Sequence, residues 1–315
     1  MTVNKMKTSL IICTKNRPDD LKECLDSVFQ QTELPTEIII VDSSNSQDSY
    51  VMLKKYNFLD IPQVRFVYKH SDIQSSTYQR NRGIELSTGD ILHFIDDDVI
   101  LEPDYLEKIN EIYRQDKEGN VGGVGGLIIQ KKRLSGTNVL SDLFKTIFLL
   151  TNDKGSGKML PSGWGTVQYR RNRDKIAKTE ILQGCCSYRK KVLDEYKFDE
   201  TLTGAAIRED LDISYRISRK YQLIYTPFAK LYHKASDIGR EDKELYYQKY
   251  IYNHYYLFRK NLNHNLFNVI CFLWSDLGSV LGIILISIKQ KSMKPIKGAL
   301  KGYKQIFQHL FHHDS

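Results

Sequence analysis

The stretch Ile91-Leu92-His93-Phe94-Ile95-Asp96-Asp97-Asp98 decides the fold. It is a short apolar run that ends in three consecutive carboxylates. A strand of that kind presents hard oxygen ligands at the edge of a sheet, where a divalent cation can be held on a phosphate. Three like charges fixed side by side repel one another and raise one another's pKa values, so a bound cation would remove a conflict built into the sequence. Taken alone, the triplet also describes a solvated acidic turn, and the flanking segments decide between the two.

Upstream, Thr8 to Cys13 reads as a β-rich run, followed by the turn cluster Thr14-Lys15-Asn16-Arg17-Pro18, whose proline suits a first helical position. Leu21, Cys24, Leu25 and Val28 fall at i, i+3, i+4 and i+7 and predict a helix reaching Gln31. After Pro35, Glu37-Ile38-Ile39-Ile40-Val41 has the unbroken apolarity of a strand buried on both faces of a parallel sheet, and it ends in Asp42. Val64 to Tyr68 predicts a third strand, Tyr78 to Leu86 a helix, and Ser87-Thr88-Gly89-Asp90 the turn that feeds Ile91. The alternation predicts a doubly wound α/β domain, which binds ligands at the carboxyl ends of its strands. Thr14, Asp42 and Asp96 to Asp98 all lie at such ends.

Together these segments resemble glycosyltransferase family 2, whose members are nucleotide-diphosphate-sugar glycosyltransferases of the GT-A fold, a doubly wound, Rossmann-like mixed sheet. The resemblance is carried by Ser9 to Pro18, Glu37 to Ser44, Gln79-Arg80-Asn81-Arg82-Gly83, Phe94 to Asp98 and Pro103-Asp104-Tyr105-Leu106. In the second half it continues through Gln183-Gly184-Cys185-Cys186-Ser187-Tyr188-Arg189, Phe198-Asp199-Glu200, Arg208-Glu209-Asp210-Leu211-Asp212 and Pro227 to His233.

The resemblance implies a role for each matched position. Thr14 and Arg17 would line the nucleotide pocket, Asp42 would accept a hydrogen bond from the base edge, and Arg80 would lie against base and diphosphate. Asp96 and Asp97 would contribute to the donor site, with Asp96 facing the ribose or the metal. Asp98 would be a direct ligand of Mg²⁺ or Mn²⁺, Asp210 the catalytic base, and His233 a residue that approaches the metal or diphosphate. Val99 stands where many relatives carry a further acid, which leaves the division of labour among the three aspartates open. The donor implied is a nucleotide-diphosphate-sugar, a UDP-sugar foremost, and the acceptor a glycan hydroxyl, lipid-linked or polymeric.

Elementary chemistry asks for the same residue types. A departing diphosphate needs its developing charge neutralised, which a cation does as a Lewis acid, and the acceptor hydroxyl needs a carboxylate to take its proton. Asp210 falls at a predicted helix start, where an acid also serves the helix macrodipole, and the adjacent Arg208 opposes a raised pKa. A nucleotidyltransferase can use a similar sheet but ordinarily carries a Gly-rich loop after its first strand, and Thr14 to Pro18 contains no glycine. A non-catalytic basic binding protein would not need the ordered acids Asp42, Asp96, Asp98 and Asp210, and no nucleic-acid partner is expected. Gly122-Gly123-Val124-Gly125-Gly126 lacks P-loop spacing and reads as close backbone packing. Leu134 to Arg173 reads as a long irregular insertion, with Trp164 either a sugar-stacking residue or a loop anchor.

The 315 residues, 41% of them hydrophobic, suffice for a sizeable core. The expected division is a catalytic domain over 1–240, with a nucleotide-sugar half at 1–130 and an acceptor half at 131–240, and a helical, basic appendage at 241–315. Five cysteines, two of them adjacent, predict reduced thiols and a cytoplasmic setting. Met1 to Lys7 carries no apolar segment of the kind a secretory signal requires.

The net charge of +8 concentrates at the end of the chain. No acid falls between Leu277 and His313, and Lys289, Lys291, Lys294, Lys297, Lys301 and Lys304 follow the apolar stretch Leu266 to Ile288. That order predicts contact with an anionic membrane at its inner face, peripheral or monotopic, since Asp276 interrupts a simple span and Leu277 to Ile288 is too short to cross. A soluble helical cap or a dimer interface has the same periodicity. Tyr246, Tyr247, Tyr250, Tyr252, Tyr255 and Tyr256 suit an interfacial aromatic belt or a packed amphipathic helix.

Overall fold

The computed structural model describes residues 6–130, 139–151, 157–166, 174–236, 238 and 241–312. The chain divides into two compact units, Met1–Ser135 with Val167–Gly239, and Gly136–Thr166 with Arg240–Ser315.

In the first unit the chain runs β1 (Thr8–Thr14), α1 (Pro18–Val28), β2 (Glu37–Asp42), α2 (Asp48–Lys55), β3 (Arg65–His70), α3 (Ser76–Leu86), β4 (Ile91–Asp96), β5 (Val99–Leu101), α4 (Tyr105–Gln115) and β6 (Val121–Gln130). After α5 (Val139–Ile147), which belongs to the second unit, come β7 (Ala177–Thr179), β8 (Cys186–Arg189), α6 (Lys190–Glu195), α7 (Glu209–Ser218) and β9 (Gln222–His233). One mixed sheet has the order β3-β2-β1-β4-β8-β6-β9-β5, with β7 added on β9. β1 to β4 are mutually parallel, and β8 enters antiparallel to both β4 and β6.

Alternation along the strands builds a core on each face of this sheet. Leu10, Ile12, Ile38 and Ile40 pack with Leu21 and Leu25 of α1 and Leu106 and Ile109 of α4. Ile11, Ile39, Leu92 and Phe94 pack with Ile84 of α3, Val192 of α6 and Ile213 and Ile217 of α7. The helix α1 stops at Val28, short of the expected Gln31, because Gln31 folds back so that its amide donates to Ser27 O and Glu102 O at 3.2 and 2.8 Å. The glycine run lies in β6, as expected of close backbone packing: a Cβ on Gly126 would meet Ala229 O at 2.5 Å and the Tyr105 ring at 2.7 Å.

His93 is buried, with Nε2 3.1 Å from Asn110 Oδ1, and burial lowers its pKa from 6.5 to about 4. The unfolded chain takes up this proton near pH 6.5 and the folded chain only near 4, so stability is held above that window and declines as the pH falls through it. The loss attributable to His93 should approach about 3 kcal/mol by pH 4. Melting temperature against pH should therefore flatten between these limits in His93→Gln relative to wild type.

The second unit holds α5, α8 (Lys243–Asn261), α9 (Leu266–Gln290) and α10 (Lys294–His312). Two expectations need correction here. The insertion expected over Leu134 to Arg173 is not irregular throughout, since it contains α5; its parts at 134–138, 152–156 and 167–173 lie outside the described residues. The apolar tail is longer than the stretch Leu277 to Ile288 that the sequence leaves uninterrupted. It is one 25-residue helix, α9, uninterrupted at Asp276, because the Asp276 carboxylate turns inward and accepts a 2.7 Å hydrogen bond from Tyr303 of α10.

Three tyrosines of α8 pack within the second unit, while Tyr246 is exposed. Tyr247 and Tyr250 pack around Ile251, Ile283 and Ala299, and Tyr255 meets His309 of α10. Trp164 is a loop anchor, its ring 5.0 Å from His254 and 5.4 Å from Tyr250.

Candidate active site

The acidic triplet turns the chain from β4 into β5, and each aspartate points to a different partner. Asp97 is buried, accepts from Thr14 Oγ1 at 2.7 Å and pairs with Arg17 Nη1 at 2.9 Å, so it ties the end of β1 to the end of β4. Burial pushes its carboxyl up to about 6, against the pull of Arg17 and the Thr14 hydrogen bond. Asp98 faces the end of β9, because β5 pairs antiparallel with that strand and sets Val99 opposite His233. Its Oδ1 lies 3.0 Å from His233 Nε2, and its Oδ2 accepts from Ser236 N at 2.9 Å. Burial opposes ionisation here, but the hydrogen bonds from His233 and Ser236, with Arg17 nearby, hold the Asp98 carboxyl below its ordinary range.

Asp96 meets a different set of partners. Arg80 Nη2 reaches its Oδ1 at 3.3 Å, and Cys185 Sγ lies 3.5 Å from Oδ2. Each acid of the triplet thus meets a basic side chain of the protein, which answers the repulsion that the bare sequence creates.

Asp96, Asp98 and His233 still converge: one ligand atom from each lies within 4.8 Å of the others. The His233–Asp98 separation of 3.0 Å is that of their hydrogen bond and is also close to the spacing of about 3 Å between neighbouring ligands of an octahedral ion. Two carboxylates with one imidazole suit Mn²⁺, and oxygen ligands with retained waters suit Mg²⁺. Asp97 stands outside this group.

Arg80 is sequestered deeper than a donor contact requires. It is 6% exposed, forks between Asp96 and Glu209, whose Oε1 is 2.5 Å from Nη1, and lies over the Phe198 ring. Glu209 and Asp210 open α7, directly after Arg208 in a left-handed conformation (φ 73°). Burial pushes the Glu209 carboxyl up to about 8, opposed by Arg80, and it raises that of Asp210, also against Arg80. Of the two acids, Asp210 carries the lighter set of partners, its Oδ1 accepting the backbone N–H of Leu211 at 2.7 Å. Asp42 is fully buried: Oδ1 accepts from the Ser44 amide and hydroxyl, and Oδ2 from Tyr68 at 2.9 Å.

Arg80, Asp96, Glu209, Asp210 and His233 line an open pocket of about 320 Å³, whereas Thr14, Arg17, Asp42, Asp97 and Asp98 are not on its lining. Several residues quoted in the sequence analysis without a role contribute to the site. Gln79 donates to Thr14 O and Val41 O at 3.1 and 2.7 Å, clamping two strand ends above the site. Asn81 exchanges hydrogen bonds with the backbone of Phe198. The available signal was a helix whose buried positions are mostly polar, Thr77, Gln79, Arg80 and Asn81 beside Gly83 and Ile84, and form no apolar stripe. Gly184, also on the lining, leaves room for Arg80, since a Cβ there would stand 3.2 Å from Nη2.

A mixed sheet of this order with acids at the β4 end defines a GT-A glycosyltransferase fold. The model of glycosyl transferase family 2 matches residues 9–197, and the chain belongs to that family. It is 32% identical over 126 residues to the glucosyl-dolichyl phosphate glucuronosyltransferase of Haloferax volcanii, a match covering 39% of each chain. It is 31% identical over 134 residues to the poly(ribitol-phosphate) β-N-acetylglucosaminyltransferase TarP of Staphylococcus aureus, covering 41% of this chain and 38% of that one. The matched stretches therefore span about two-fifths of these relatives. Among solved structures, GalNAc-T7 with UDP, GalNAc and Mn²⁺ superposes with a TM-score of 0.56 at 16% identity, covering 79% of this chain and 48% of that one.

Proposed function

We propose that this protein transfers a sugar from a nucleotide-diphosphate-sugar, a UDP-sugar foremost, to a hydroxyl of a lipid-linked or polymeric glycan, with inversion at the anomeric carbon. The observation that carries this reading is the opening of Asp96, His233 and Asp210 onto one pocket. Asp96, Asp98 and His233 would hold Mn²⁺ or Mg²⁺, which when bound offsets the negative charge developing on the departing diphosphate. Thr14 and Arg17 line the nucleotide side, where Asp42 accepts from the base in exchange for its bond to Tyr68. Arg80 holds Asp96 in place from the other side.

Asp210 takes the acceptor proton. The acceptor oxygen bonds to the anomeric carbon as the bond from that carbon to the phosphate oxygen breaks, and the electron pair leaves on the diphosphate. Glu209 is occupied by Arg80, so the pocket offers one available carboxylate for the acceptor side, which suits a single displacement with one base. The reaction is proposed to run at the inner face of the cell membrane, a reading supported by the exposed apolar residues of α9 and the acid-free lysines that follow them. A screen of nucleotide-sugars for nucleoside-diphosphate release, with Mn²⁺, with Mg²⁺ and with chelator, tests the reading. Release from one donor class that depends on metal is expected, and no release from any donor with metal and glycan acceptors present would overturn it.

A further inference from the structure

The helix α9 is amphipathic in the reverse sense to a helix of a water-soluble protein. Its buried positions are mostly small or polar, Cys271, Ser275, Gly278, Ser279 and Ser287, with Ile283 among them. Its exposed positions are large and apolar: Leu266, Ile270, Leu273, Leu277, Ile284 and Ile288 recur at helical spacing and are between 39% and 77% exposed. Close approach on the inner side is built in, because a side chain at Gly278 would collide with Phe148, which follows α5, and Gly298 of α10 presses on the carbonyl of Glu244 in α8. Small residues inward and large apolar residues outward is the arrangement of helices whose surroundings are lipid.

We propose that this face of α9 is seated on an anionic lipid surface with the helix axis in the plane of the interface, and that it does not cross the bilayer. This deepens the membrane part of the function proposed above and is independent of the transfer chemistry. Charge complementarity selects the occupant. The outer side of the neighbouring α10 carries exposed Leu300, Phe307 and Phe311 alongside exposed Lys297 and Lys304, and no acid lies anywhere in that helix, which is the composition of a basic interfacial helix.

The orientation follows from what runs beside α9. Asp276 meets Tyr303 and Ile283 meets Ile296 and Ala299, so α10 lies antiparallel along the middle of α9. A helix crossing the membrane through this middle would carry Lys297, Lys301 and Lys304 into hydrocarbon, with Glu244, the partner of Lys301, among them. Lying flat, the same packing keeps every one of these charges at the level of headgroups and water. Trp274, 43% exposed and donating its indole N–H to Ile147 O at 2.8 Å, sits on the boundary of the apolar face, a position suited to its amphipathic ring.

Full-length protein floated with vesicles of phosphatidylcholine, and with vesicles containing about one-third phosphatidylglycerol, tests both parts. Flotation with the anionic vesicles is expected, at least about tenfold weaker in Leu273→Glu/Leu281→Glu, whose positions are exposed and whose melting temperature should be unchanged. Lys297→Gln/Lys304→Gln should weaken flotation in a salt-dependent way while leaving the apolar face intact. Asn263→Cys and Gln290→Cys, at the two ends of α9, should both react with a membrane-impermeant maleimide on vesicle-bound protein, above the background of the unsubstituted chain. Protection of one end until detergent is added would mean a spanning helix and overturn the in-plane seating while sparing the membrane reading. Protein that never floats, or a dimer in light scattering that Leu273→Glu/Leu281→Glu dissolves, would overturn both and assign the face to solvent or to a second copy. Neither outcome would touch the sugar-transfer reading.

Discussion

Replacing Asp98 by alanine should abolish the metal dependence of donor binding while leaving the protein folded. Its carboxylate is the member of the triplet that faces His233, and loss of a metal ligand should cost more than the roughly 10–100-fold that removing an outer partner costs. Calorimetric titration of a UDP-sugar with and without Mn²⁺ reads this directly. Because Asp98 also accepts from Ser236 N, Asp98→Asn provides the control that keeps an acceptor for that amide. If Asp98→Ala and wild type bind donor equally in the presence of metal, Asp98 is not a ligand.

Asp210→Asn should keep donor affinity and lose more than about a hundredfold in turnover, since an amide cannot take the acceptor's proton. The base must be ionised to act, and burial raises its pKa, so the acid limb of the wild-type turnover profile should lie above the ordinary carboxylate range. Near-normal turnover of the variant at saturating acceptor would transfer the role to Glu209. For Glu209→Gln a different signature is expected. With the Arg80 fork broken on one side, Asp96 loses a settled neighbour, and donor affinity should fall together with turnover.

The parallel half of the sheet was legible because its strands announce themselves locally. Glu37 to Val41 is apolar at every position after the first, and a strand buried on both faces needs nothing else to be recognised. The acids at the end of β4 and the acidic start of α7 were legible for the same reason, since strand ends and helix starts are local features. What escaped was long-range pairing. That Val99 lies opposite His233 depends on β9 joining the sheet more than a hundred residues later. The continuity of α9 through Asp276 depends on Tyr303, 27 residues away, and without that partner a carboxylate in an apolar run reads as a break. The polar burial of α3 was hidden because its hydrogen bonds go to Phe198 and to strand ends rather than along its own helix.

The separate partnering of Asp96, Asp97 and Asp98 has a practical corollary for anyone handling the protein. Chelator carried through purification would strip an ion without leaving Asp96 and Asp97 uncompensated, because Arg80 and Arg17 remain in place, and Asp98 keeps its contacts with His233 and Ser236. A stripped sample would still melt cooperatively, lower than a loaded one only by the free energy with which the ion binds, and the harm would show chiefly as missing activity. An inactive batch with a sharp thermal transition should be dialysed against manganese before its sequence, its buffer or its assay is blamed.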